Sequence, residues 1–451
     1  MKLTLIHPSI GRRPKQGYIR TWQMEPLPPA LIAGLTPRHV DTVFYDDRME
    51  SIPYDEATDL VAISVETYTA KRVYQIASEF RKRRVPVVLG GFHASLCPEE
   101  VSQYAEAVVI GEAELLWPQV IDDFLHGRLQ KFYQSKERPL LDNLRYDRGI
   151  YANKRYLSIG LLETGRGCKF KCDFCAIQTV FNRSYNARPV DDVVKEIQQQ
   201  KKTRKFFFFV DDNFAADIKQ AKEFLKAIAP LNIKWVTQMS INAAHDEEFL
   251  TLLSKSGCQG VLIGFESLNK DTLMSMKKGF NTMSGGYDAA LEKLRRHRIR
   301  IYATFVFGYD NDNAQTFEDT LEFALQHKFY ITAFNHLTPF PGTPLYQRLN
   351  DEGRLIYPKW WLDENYNYNK IPFYPRNIEP DELQRYCIDA RRQFYSLKNT
   401  LKRGFDAVNA SNFFMFRNFF TINAMHRVEI SMRNHYPLGD MGWKGSLIKA
   451  Q

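Results

Sequence analysis

Leu157-Ser-Ile-Gly-Leu-Leu-Glu163, followed without a break by Thr164-Gly-Arg-Gly-Cys168-Lys-Phe-Lys-Cys172-Asp-Phe-Cys175, decides how this chain is read. A short apolar run that ends in a glycine-bearing turn reads as a strand delivering a loop. The loop carries cysteines spaced CxxxCxxC. Three thiolates on one tight loop can ligate three irons of a [4Fe–4S] cluster, and with no fourth cysteine nearby one iron stays open to a ligand. A structural zinc site would need four protein ligands, and no fourth Cys or His stands close. Cys168, Cys172 and Cys175 are the expected metal ligands. Cys97, Cys258 and Cys387 are scattered and read as buried, inert thiols.

Working outward, strands and helices alternate on both sides of this loop. After it, strands are expected at 157–163, 205–210, 234–238, 260–265, 301–307 and 331–337. Helices at 190–201, 217–229, 246–256, 284–296 and 314–327 separate them. Six βα units are too few for an eight-stranded barrel, so residues 156–344 are expected to form a partial barrel with its active face at the strand carboxyl ends. Residues 1–127 show the same alternation, with strands at 2–7, 40–45, 60–65, 85–89 and 107–110. That pattern predicts an α/β domain with a doubly wound parallel sheet, whose ligands bind beyond the strand carboxyl ends. Residues 128–155 are polar and aperiodic and read as a linker. Residues 345–451 read as a helical C-terminal region, with helices expected at 380–401 and 412–433, that sets substrate choice.

Composition narrows the class. With 44% hydrophobic and 25% charged residues the chain is neither disordered nor a disulfide scaffold. The net charge of +9 hints at anionic partners without establishing them. Six cysteines, three of them crowded together, suit a reducing compartment. The densest apolar run, 206–210, falls far short of the roughly 18 residues of a membrane span. The N-terminus reads as a first strand instead of a signal peptide. A cytoplasmic enzyme with no transmembrane segment is expected.

The cysteine loop resembles that of the radical S-adenosylmethionine (SAM) family, and the domain before it resembles the cobalamin-binding domain of one large branch of that family. Gly90-Gly91-Phe92-His93, Gly111-Glu112-Ala113-Glu114, Val210-Asp211-Asp212-Asn213, Gly264-Phe265-Glu266-Ser267 and Pro339-Phe-Pro-Gly-Thr-Pro344 carry the likeness, in order, over nearly the whole chain. The resemblance implies that the open iron chelates SAM, whose reductive cleavage gives a 5′-deoxyadenosyl radical. It implies Phe174 against the adenine, and Asp211, Asp212, Gln238, Ser240 and Glu266 around SAM. Plainer readings stand beside these: a core phenylalanine, helix caps at 211–213, a buried ion pair at Glu266. The Asp-x-His-x-x-Gly motif of histidine-ligated cobalamin is missing, so cobalt is expected to be held without a protein histidine. Ser64, Glu66, Thr67, Gly90, Gly91, His93, Gly111 and Glu112, in the turns after the strands, are the expected cobalamin contacts.

The function these features imply is methylation of an unactivated carbon of a small-molecule or natural-product substrate, with a [4Fe–4S] cluster, SAM and cobalamin as cofactors. The alternative keeps the cofactors and performs a cyclisation or rearrangement without methyl transfer. RNA modification is disfavoured, because Cys97 stands alone in the N-terminal domain and the C-terminus reads as helical; no nucleic-acid partner is expected. An external electron donor such as flavodoxin or ferredoxin is implied. Trp360, Trp361, Tyr366, Tyr368, Phe373 and Tyr374 are expected to line an apolar pocket. The Phe413–Phe420 cluster, near Arg417 and Arg427, reads either as a sign of a hydrophobic substrate or as a satellite helix.

Overall fold

The computed structural model describes residues 1–19, 23–282 and 285–450. Strands β1 (Lys2–His7), β2 (Asp41–Asp46), β3 (Leu60–Ser64), β4 (Val87–Gly90), β5 (Ala107–Ile110) and β6 (Phe132–Gln134) form one sheet in the order 2-1-3-4-5-6. All its pairings are parallel. Growth of the sheet reverses between β1 and β3, the switch point where doubly wound sheets bind ligands. Helices α1 (Leu27–Leu35), α2 (Ala70–Lys82), α3 (Phe92–Leu96) and α4 (Trp117–Leu125) cover it. Leu5, Ala62, Val88 and Val109 share one core with Ala30 and Trp117 of α1 and α4. Ile6, Ile63 and Leu89 share another with Val73 and Ile76 of α2. Burial of both faces explains why these strands read as unbroken apolar runs.

The second sheet runs in strict sequence order, β7 (Ile159–Leu162), β8 (Phe206–Phe209), β9 (Lys234–Gln238), β10 (Cys258–Glu266), β11 (Arg300–Phe307) and β12 (Ile331–His336). Its pairings are again all parallel. Helices α5 (Val190–Gln200), α6 (Ile218–Ile228), α7 (Glu247–Lys255), α8 (Gly286–Arg296) and α9 (Ala314–Gln326) wrap the outside of this open partial barrel. The expected first residue of α8, Ser284, lies outside the described residues. Side-chain caps set the helix starts: Asp217 accepts from Gln220 N, Asp246 from Phe249 N and Asn313 from Thr316 N.

Three expectations about organisation need correction. Residues 128–155 are no free linker: β6 extends the first sheet, and Tyr151 is buried in its core. The C-terminal region is not a separate helical unit either. Trp360, Trp361 and Tyr366 are buried in the core of the first domain beside α2, and Phe373 in that of the barrel. These four rings therefore pack the two domains and line no open pocket, while Tyr374 is exposed. The last residues return to the first domain, where Gly439 and Asp440 pair with Gly11 and Arg12. Finally, the single helix expected at 380–401 is two, α11 (Pro380–Phe394) and α12 (Leu397–Gly404), because Ser396 caps a fresh start; a short α10 (Pro344–Asp351) precedes them and α13 (Phe413–Arg433) follows.

Candidate functional site

The cysteine loop leaves β7 as one arm of a hairpin, Gly165–Gly167 pairing antiparallel with Tyr185–Ala187. Gly167 has φ +93°, and a Cβ there would stand 2.1 Å from the Ser184 carbonyl oxygen, so only glycine closes the hairpin. Two residues past β8, Asp211 ties the loop down: it accepts from Thr164 N at 3.0 Å and from Thr164 Oγ1 at 2.6 Å. Asp212 accepts from Gly167 N at 2.7 Å. Gln238, at the end of β9, donates to the Asp211 carbonyl, and Asn213 joins Ser240 to the loop. Asn213 Nδ2 also lies 3.7 Å from Cys168 Sγ, oriented to donate to it. Tyr309 Oη donates to Asp173 Oδ1 at 2.5 Å and holds the middle of the loop.

Cys172 is buried, and Cys168 and Cys175 are half-buried. Burial pushes the Cys172 thiol up to about 12 and moves Cys175 in the same direction. Ligation by metal supplies the positive charge that deprotonating them requires. Among the described residues no three His, Cys, Asp or Glu side chains converge tightly enough to hold a single ion. A buried cation lies beside the thiols: Lys278 Nζ donates to Glu266 Oε1 at 2.5 Å. Burial works against the Lys278 charge, but Glu266 and the thiols of Cys172 and Cys175 outweigh it and raise its pKa. Glu266 itself stands in the left-handed region, φ +65°, where the register between β10 and β11 shifts. Phe174 is half-buried and packs against the barrel core.

Beyond the carboxyl ends of β1, β3, β4 and β5 opens a cavity of about 370 Å³. It runs down the sheet past Leu5, Ala62, Val88 and Val109, beneath Leu31 and Ile32 of α1. Its mouth reaches Gly165, Arg166 and Asp212 of the barrel, so both domains share it. Ser64, Glu66, Gly90, Gly91, Gly111 and Glu112 line it. A Cβ on Gly111 would meet nothing within 4 Å, so the loop leaves open space over the cavity there. Glu66 is open to the cavity yet enclosed by protein, and that desolvation lifts its pKa to about 7. The apolar slot and the open, glycine-bordered mouth fit a bulky cofactor with a long tail.

Thr67 and His93 lie elsewhere. His93 is fully buried, its Nδ1 3.3 Å from Thr67 Oγ1 and its Nε2 3.2 Å from Glu100 Oε1, with Trp361 against its ring. Glu112 reaches the cavity, but its carboxylate is already engaged, accepting from Arg138 Nε at 2.7 Å. Arg166 completes a charged clasp between the domains by pairing with Glu112, Glu114 and Glu163. Sequence reading missed Asn213, Lys278 and Arg166 as site residues. Arg166 and Asn213 stand inside the motifs themselves, but Lys278 meets the thiols only through the fold.

Residues 162–324 match the radical SAM superfamily. Bacteriochlorophyllide d C-12(1)-methyltransferase of Chlorobaculum tepidum is 31% identical over 389 residues, covering 84% of each chain. The chain belongs to the radical SAM superfamily. Bacteriochlorophyllide d C-8(2)-methyltransferase of the same organism is 30% identical, over 83% of this chain and 86% of its own. Among solved structures, the radical SAM methyltransferase TsrM from Kitasatospora setae, with cobalamin and a [4Fe–4S] cluster bound, superposes with a TM-score of 0.64 at 16% identity, over 96% of this chain and 99% of its own. The likeness extends across both sheets, so this member of the superfamily has the two-domain architecture in which a cobalamin-binding type of sheet precedes the radical SAM barrel. No described helix is long and apolar enough to cross a membrane.

Proposed function

We propose that the protein transfers a methyl group from SAM to an unactivated carbon of a large apolar ring substrate of the bacteriochlorophyllide kind. The cavity shared between the sheet and the cysteine loop carries this reading, because it brings the two cofactor sites against one another. When bound, the cluster and SAM supply a 5′-deoxyadenosyl radical, and cobalamin supplies the methyl group. The chain's part is placement and shielding. Cys168, Cys172 and Cys175 hold the cluster, Asn213 donates to one sulfur, and Lys278 offsets thiolate charge. The Arg166 clasp fixes one domain on the other, and the apolar slot keeps water from the reacting groups.

The barrel interior supports an apolar substrate. Phe208, Val236, Leu262, Tyr302 and Val306 alternate with the residues buried under the outer helices and stay half-exposed toward the interior. The relatives that act on bacteriochlorophyllide d are the observation that favours a tetrapyrrole among apolar substrates. The reaction belongs in the cytoplasm, with a flavodoxin- or ferredoxin-type protein as the external electron donor. The test is an anaerobic assay with SAM carrying a deuterated methyl group and bacteriochlorophyllide d as acceptor. A labelled product is expected, with 5′-deoxyadenosine and S-adenosylhomocysteine in near-equal amounts, since each turnover consumes one SAM by each route. Deoxyadenosine alone, with an unlabelled cyclised or rearranged product, would overturn the assignment.

A further inference from the structure

The amino-terminal face of the barrel, opposite the cysteine loop, is built unlike the rest of the surface. The segment from α12 to the first half of α13 closes it: Phe414 stacks near Phe206 at 5.8 Å, Tyr330 Oη donates to the Met415 carbonyl, and Arg403 donates to the Phe329 carbonyl. Residues buried by these contacts anchor the segment. Its outer side is apolar and bare. Leu397 is 68% exposed, Leu401 51%, Phe405 68% and Phe413 79%. The first three are spaced four apart, which sets them along one side of the helix and its exit. An apolar ridge left in water costs free energy, so a contiguous one marks a contact surface.

The charge around the ridge says what covers it. Residues 397–428 contain one acidic side chain, Asp406, which is buried and paired with Arg295 at 2.9 Å. The adjoining loops 201–205, 231–234 and 326–330 contain none; Glu318, Glu322 and Asp389 flank one side only, across the groove that Asn399 and Lys402 border. Lys398, Lys402 and Arg417 are exposed and have no acidic partner among the described residues; the same holds for Lys205 and Lys234 on the loops. Helix carboxyl ends favour cations, which accounts for Lys402 in the last turn of α12, but not for Lys398 in its first turn, where a cation is disfavoured, or for the lack of acids in the segment. We propose that this face docks on an anionic lipid surface, the ridge entering the headgroup boundary and the lysines meeting lipid phosphates. An apolar ridge rimmed by unpaired cations is the pattern of an interfacial segment, where burial and charge act together. A second copy packed ridge to ridge would bring Lys398, Arg417 and the loop lysines of both copies together.

The orientation has a consequence for function. The nine residues of β10 at about 3.3 Å each separate the two ends of the barrel by roughly 30 Å. Docking therefore tethers the enzyme with its cysteine loop turned away from the lipid, and the tether stands or falls independently of the reaction. The test is flotation of the full, cluster-loaded protein with vesicles of phosphatidylglycerol and phosphatidylcholine, or of phosphatidylcholine alone. Binding is expected to the anionic vesicles only, and to weaken as salt shortens the screening length. Lys398→Glu with Lys402→Glu should lower binding by at least fivefold per lysine, and Phe405→Ser with Phe413→Ser by about tenfold. All four positions are exposed, so melting temperature and iron content should hold and certify the fold. Equal flotation of these variants and the parent, no binding to anionic vesicles, or a parent dimer that Phe405→Ser dissolves would each overturn the proposal; the last would give the face to a second copy.

Discussion

The two walls of the shared cavity do their holding by opposite means. On the sheet side the contacts are backbone and apolar surface: Gly90, Gly91 and Gly111 border the mouth, and Leu5, Val88 and Val109 floor the slot. Gly91, at φ +100°, is also pressed against β3, where a Cβ would approach Ser64 Oγ to 2.7 Å. On the barrel side nearly every polar atom is already spent on another. Asp211 and Asp212 hold Thr164 and Gly167, Asn213 holds Ser240, and Arg166 holds three carboxylates. The difference follows from what each wall must do. A bulky cofactor in an apolar slot is bound by shape and desolvated area. A reactive centre needs groups whose positions are fixed before the ligand arrives.

If the barrel wall alone holds the cluster, removing its thiols should empty that site and spare the sheet. Replacing Cys168, Cys172 and Cys175 by alanine should reduce iron from about four per chain to background and abolish SAM cleavage. Cobalamin uptake, followed by its absorption spectrum, should persist. Substitution of the buried Cys258 and Cys387 should leave iron content unchanged. Cluster iron surviving in the triple variant would break the comparison at its root.

The clasp is where the two walls depend on each other. Arg166→Ala leaves Glu112, Glu114 and Glu163 facing one another with their shared cation gone, and Glu114 already has one oxygen without a partner. Loss of one member of a buried ionic group costs about 3–5 kcal/mol. Thermal or denaturant unfolding should register that loss, and the two domains should then melt in separate transitions. A single unchanged transition would mean that the walls are joined by packing, with the charges incidental.

How much of this was legible beforehand divides along the same line. Strands fixed by local apolar runs were readable to within a residue or two, as at β1, β5 and β9, because each run carries its own signal. The cysteine spacing and the glycine turns were readable for the same reason. What escaped depended on distant partners. β6 is three residues long and gains its identity only from pairing with β5. Trp360 and Trp361 looked like pocket walls because aromatic enrichment does not say which surface an aromatic covers; α2, nearly 300 residues earlier, does. His93 stands beside the cavity glycines in sequence, yet Thr67, Glu100 and Trp361 draw it into the core. Asp211 and Gln238 were named for SAM, and the fold gives both first to the loop, a use that spacing cannot reveal.

Asp211 also offers the finest test of a preorganised barrel wall. It is 1% exposed, its Oδ1 serves Thr164, and its Oδ2 has no partner among the described residues. Burial without a cation raises its pKa to about 7 from an ordinary value of 3.8. Between those two values the folded chain binds a proton that the unfolded chain has released. Stability of the cofactor-free protein should therefore be greatest near the acid end of that window and fall as pH rises through it, by about 4 kcal/mol in all. Above about 7 both states are ionised and the dependence on this group ends. Asp211→Asn keeps an oxygen for Thr164 and removes the charge, so the variant should match the parent near pH 4 and exceed it near pH 8, with a flatter profile between. Denaturant midpoints across that range would show it. A parallel profile in parent and variant would mean that Oδ2 finds a partner in solution and that the carboxylate is already satisfied.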